Sequence, residues 1–104
     1  MARKTIVLLP NTEEILEKMG ERIRRARLRR NISAEDVAQK AGVSKFTLTS
    51  IEKGVCTVSI GAYAAVLAVL ELDKDFGLIA VDEIGKKLFW DQNLKKRKRA
   101  SKKK

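Results

Sequence analysis

The chain has no histidine and one cysteine, Cys56. Serine or cysteine nucleophiles activated by histidine, histidine-bearing zinc sites and disulfide frameworks are therefore all excluded. What remains is hydrogen bonding and charge. These groups concentrate between Ser33 and Gly54, SAEDVAQKAGVSKFTLTSIEKG, where Lys45, Thr47, Thr49, Ser50 and Lys53 offer donors and hydroxyls at helical spacing around the aromatic Phe46. Single hydroxyls and ammonium groups in such an array suit recognition of a polar surface better than bond making. No enzymatic site, resident cofactor or metal site is expected.

These groups must be held by local structure. Ser33 has the chemistry of a helix N-cap, with Asp36 three residues on in a variant of the capping box. It opens a short helix that turns Val37, Ala38 and Ala41 inward and stops at Gly42. Ser44 caps the next helix, Lys45 to about Lys53, whose inward pair is Leu48 and Ile51 and which Gly54 terminates. Two short helices joined by a glycine turn make a helix-turn-helix. Upstream, Asn11 or Thr12 is expected to cap a long first helix. Its stripe runs through Ile15, Met19, Ile23 and Ala26, and Gly20 allows close approach of another helix. Downstream, Ser59 caps a fourth helix with Ile60, Tyr63, Val66, Leu67 and Leu70 toward the core, and Phe76 to Trp90 forms one or two more. Residues Lys4 to Leu9 are expected as a short strand or extended arm.

With 104 residues and 44% hydrophobic content, the chain allows one small core. Aromatics make up only 5% of it, so that core rests on aliphatic side chains, which favours helices. The net charge of +10 is unevenly spread. The terminal segment LKKRKRASKKK carries eight basic residues and no acid, the composition of a solvated, disordered arm. Six arginines lie between Arg22 and Arg30 with no acid from Glu21 to Glu35, whereas residues 60 to 93 hold six acids against three lysines. The basic cluster leans toward a polyanion partner. The longest uncharged run, Gly54 to Leu70, is too short to span a bilayer. The apolar stretch Ile6 to Leu9 is too brief for a signal peptide, so a cytoplasmic protein is expected.

The segment from Ser33 to Gly54 resembles the Xre group of λ-repressor-like regulators. Its marks are a small residue and glycine in the turn, apolar positions on both sides, and Glu-x-Gly closing the third helix. The resemblance spans about Gly20 to Leu72. It implies an all-α bundle of about five helices and a sequence-specific repressor that binds double-stranded DNA as a homodimer on a palindromic operator, associated with the nucleoid. The implied DNA-contacting residues are Lys45, Phe46, Thr47, Thr49 and Ser50 on the recognition helix, with Ser33, Ala34 and Lys53 beside it. Phe46 either touches a thymine methyl or packs on the protein surface. Ala34 departs from the family, where many members have a glutamine that positions the recognition helix. Arg27 and Glu52 stand where similar repressors form a structural ion pair.

The implied division is an arm over 1–10, a DNA-binding domain over 11–72, a dimer or partner segment over 73–93, and a basic tail over 94–104. Phe76, Ile79, Ile84, Leu88, Phe89 and Trp90 are the expected interface residues. The end of the chain, DEIGKKLFWDQNLKKRKR, looks like that of HipB-like antitoxins, which implies as an alternative an antitoxin that neutralises a HipA-like, kinase-like toxin and represses its own operon. An RNA-binding alternative lacks the exposed aromatic platform such modules use.

Overall fold

The computed structural model describes residues 6–88. Lys4, Thr5, Phe89, Trp90 and the basic tail 94–104 lie outside the described residues. Six helices follow in order: α1 Pro10–Arg29, α2 Ala34–Ala41, α3 Lys45–Glu52, α4 Ile60–Val69, α5 Asp73–Phe76 and α6 Glu83–Lys87. The fold is all-helical, as the aliphatic composition implied, with two short terminal helices where one or two were expected.

The core is built from one apolar face of each of the first four helices: Ile23 and Ala26 of α1, Val37 and Ala38 of α2, Leu48 and Ile51 of α3, and Tyr63, Val66 and Leu67 of α4, closed by Leu70. The aliphatic members interlock without any buried polar or charged residue among them, so the centre is stabilised by removal of apolar surface from water. Gly20 lets α1 and the end of α3 approach closely. A Cβ there would come within 2.6 to 2.8 Å of the Gly54 amide nitrogen and the Ile51 and Glu52 carbonyl oxygens. Any side chain at residue 20 would therefore push the end of α3 off α1.

Several expectations are corrected. α1 begins earlier than an Asn11 or Thr12 cap would start it. Leu9 occupies the cap position with no side-chain bond, and Pro10 stands in the first turn, where its fixed φ and missing N–H cost nothing. Ile15 is exposed, and Leu16 is the half-buried residue at that level. The reason is the loop after α3: Gly54 packs against the backbone of Leu16 and Glu17, which sets the inward face one residue further along. Ile60 is 70% exposed because the first turn of α4 projects past the core. No strand occurs among the described residues, and Ile6 to Leu9 is irregular, with Val7 and Leu9 facing solvent. An isolated two-stranded pairing would be marginal, and nothing in the described chain offers this segment a strand partner.

Candidate nucleic-acid interface

The geometry of α2 and α3 is set by three local devices. The Ser33 hydroxyl oxygen accepts the Asp36 amide at 3.1 Å, and the Ser44 oxygen accepts the Thr47 amide at 3.0 Å. Gly42, at φ 73°, takes the left-handed conformation that ends α2. The Val43 amide then returns to the Ala38 carbonyl at 3.0 Å. Leu48 and Ile51, both fully buried, hold α3 down, and the helical period then turns Lys45, Phe46, Thr49 and Lys53 outward while Thr47 and Ser50 sit half-buried at the edges.

Phe46 is 80% exposed, so its ring does not pack on the protein surface. An aromatic ring projecting from a helix of hydroxyls and ammonium groups has a free face for an apolar atom such as a thymine methyl. The exposed Thr49 hydroxyl donates to the Lys45 carbonyl at 3.1 Å and can still accept a hydrogen bond. Thr47 is engaged locally, its oxygen receiving the Ser44 hydroxyl at 2.9 Å. Beside this edge of α3 runs an open groove of about 810 Å³, lined by Phe46, Thr47, Ser50, Thr57, Val58 and Ser59 among others. The Ser59 oxygen accepts the Ala62 amide at 3.1 Å and so caps α4 at the rim of this groove. The sequence marks Ser59 only as a cap, because its nearness to α3 depends on the path of the intervening loop. The Tyr63 hydroxyl pins that loop by donating to the Val55 carbonyl at 2.7 Å. Burial raises the Tyr63 pKa, with the neighbouring Cys56 as the smaller cause.

Arg27 and Glu52 meet in a two-pronged ion pair, Nε to Oε2 at 2.7 Å and Nη2 to Oε1 at 3.1 Å. The third donor, Nη1, reaches the Ile32 carbonyl at 3.1 Å. Their side chains are only 12% and 10% exposed. The Arg27 pKa is raised, first by the hydrogen bond it donates to the Glu52 carboxylate and also by that group's charge, against the lowering effect of burial. The pair joins α1 to the end of α3, ties down the loop between α1 and α2, and neutralises the acid that closes α3. A second ion pair is not visible in the sequence: Lys45 Nζ lies 3.2 Å from Glu35 Oε1, across the turn between α2 and α3.

The family described as a helix-turn-helix domain matches residues 18–75, more than half of the chain, and the matched stretch contains every element just described from the middle of α1 into α5. The chain belongs to that family. Comparison with curated proteins and with solved structures finds no match. A helix-turn-helix domain of this kind supports a DNA-binding regulator. Among the described residues no group of acids and cysteine is placed to hold a metal ion, and no helix is long and apolar enough to cross a membrane.

The family match ends inside α5. There Phe76 is half-buried and, with Met19, Arg22, Leu67, Leu72 and Ile79, lines a cleft of about 360 Å³ between α1 and α5. Ile79, Ile84 and Leu88 face solvent. Ile79 borders the cleft with Phe76 while Ile84 and Leu88 do not, and Phe89 and Trp90 are outside the described residues. Cys56 is a free, half-buried thiol in the loop after α3.

Proposed function

We propose that this helix-turn-helix protein is a sequence-specific transcriptional repressor that binds a palindromic operator as a homodimer. The observation that carries this reading is the outward face of α3, where Lys45, Phe46 and Thr49 are exposed on a helix anchored from below by two fully buried side chains. Lys45 donates to guanine O6 and N7. Thr49 and Ser50 bond base edges, and Phe46 or the Thr47 methyl meets the thymine methyl. The amides opening α2 at Ser33 and Ala34, with Lys53 at the far end of α3, hold phosphates.

One recognition helix reads too few base pairs to specify a site. Two copies related by a dyad, with half-sites ~34–36 Å apart or a multiple of that, supply the rest. Residues 73–93 provide the dimer contact, and the tail 94–104 adds phosphate charge without reading bases. The site of action is the nucleoid, within the cytoplasm. A second reading is supported by the exposure of Ile79, Ile84 and Leu88 in the segment after α4: a HipB-like antitoxin that covers these residues with a HipA-like toxin and represses its own operon.

Footprinting on a selected operator tests the first reading. Protection of paired half-sites is expected, and a single asymmetric half-site per chain would overturn the palindrome. Lys45→Ala and Thr49→Ala should each cost about 1–3 kcal/mol at one base position and relax preference there. Equal losses on random duplex would reassign both residues to the DNA backbone. Copurification with a kinase-like neighbour would favour the antitoxin.

A further inference from the structure

The Lys45–Glu35 pair lies at the N-terminal end of the proposed recognition face, where an acid is the wrong sign for a polyanion. Both side chains are well exposed, at 63% and 75%, so the pair contributes little to stability. Lys45 opens α3, and Glu35 sits in the first turn of α2. The contact therefore spans the two helices of the motif and places the ammonium group above the turn between them. Glu52, the remaining acid between Asp36 and Glu71, is already consumed by Arg27. Within the two helices of the motif that leaves Glu35 and Asp36, and among the described residues only Glu35 pairs with Lys45.

Resting on the DNA-binding reading above, we infer that Glu35 is a specificity-determining positioning residue, holding Lys45 over the base edges and away from the phosphate backbone. An ammonium group has three donors. One can stay on Glu35 while the others meet guanine O6 and N7, so the pair survives on the correct base. A phosphate carries a full negative charge where guanine O6 and N7 carry only partial ones, so a Lys45 that clamps a phosphate brings the Glu35 carboxylate toward a like charge. Glu35 thus penalises backbone binding and spares base reading. It lowers affinity for random DNA and raises the ratio of operator to random binding.

The test measures binding of the full chain to a random-sequence duplex and to a selected operator duplex, across a salt series. Glu35→Gln should tighten random-duplex binding by up to about eightfold at ~0.1 M salt and steepen its log–log salt slope by ~0.9, as expected when one more phosphate is neutralised. Operator affinity should change less than about twofold, so discrimination falls. In a Lys45→Met background the effect of Glu35→Gln should mostly vanish. Asp36→Asn makes the same charge change one residue away and should have the smaller effect. Circular dichroism melts check that every variant folds.

Equal effects of Glu35→Gln and Asp36→Asn, or additivity of the Glu35 and Lys45 changes, would overturn the inference in favour of diffuse charge. Loss of operator binding with unchanged random binding would overturn it in favour of a carboxylate that accepts directly from a base. If neither the wild type nor any variant bound duplex DNA, the DNA-binding reading itself would fall and the inference with it.

Discussion

The helix-turn-helix half and the segment from Glu71 to Leu88 contain similar apolar side chains but use them differently. In the first, left-handed backbone falls on Asn31, Gly42 and Gly54, residue types that adopt it at low cost. Both helices of the motif are capped by serine side chains. In the second, the same backbone region is taken by Glu71 and Ala80, for which it is costly, as well as by Asp82, α5 and α6 have four and five residues, and α5 has no side-chain cap. No large apolar residue of either helix is buried, and Ile84 is 72% exposed. Charge divides the same way, arginines on α1 against acids from Glu71 to Glu83. Local structure is consistent where the core closes and strained where apolar side chains stay exposed.

The sharpest way to break this comparison is to truncate one residue on each side. Leu48→Ala should cost about 2–5 kcal/mol by denaturant unfolding, because it leaves a cavity under the recognition helix. Ile84→Ala should stay within about 0.5 kcal/mol. Comparable losses would show that α6 belongs to the same cooperative core.

Arg27→Ala should come next, at about 3 kcal/mol, since it strands Glu52 with little solvent. Arg24→Ala should cost far less, because Arg24 is exposed and only 3.9 Å from the Glu21 carboxylate at best. Combining Arg27→Ala with Glu52→Gln should recover part of the loss. Strict additivity in that cycle would mean that the pair contributes nothing beyond its separate members.

Tyr63→Phe should cost about 0.5–1.5 kcal/mol by removing the bond that pins the loop beside α3. Its pH dependence has a definite sign. The folded pKa of Tyr63 is raised, so its contribution is complete below the ordinary tyrosine value of about 10 and is lost as pH rises through the folded pKa. Thermal melts from pH 7 to 11 should therefore fall more steeply at the alkaline end for wild type than for the phenylalanine variant, and parallel curves would exclude the linkage.

Deleting Leu94 to Lys104 should have the smallest effect on this comparison. It should weaken binding to all duplexes alike and flatten the salt slope, while operator preference and the unfolding midpoint stay put. Loss of preference would make the tail a reader of sequence.

Much of the motif is readable from residue types. Ser33, Ser44 and Ser59 mark helix starts, and Gly42 and Gly54 mark stops, because caps and left-handed residues act within one turn of chain. Leu48 and Ile51 are legible as the buried side of α3 for the same reason, since helical period is a local property. Ile15 and Ile60 mislead because both are apolar and correctly spaced, yet each lies near a helix end where burial depends on what crosses it. Leu9 and Pro10 give no side-chain cap to read, although proline can open a helix without one.

By itself, the sequence determined the all-helical class, the order of the first four helices, the serine caps of α2, α3 and α4, the buried side of α3 and the separation of basic from acidic stretches. Each of these follows from periodicity, capping or charge count over a few residues. Only the tertiary structure decided that Phe46 stands free of the surface, that Glu35 takes hold of Lys45, that Ser59 borders the α3 groove and that the apolar residue of α6 stays outside the core. These are distances between groups far apart in the chain or across a turn, and they are set by how helices of fixed shape pack around Gly20 and the ten side chains of one core.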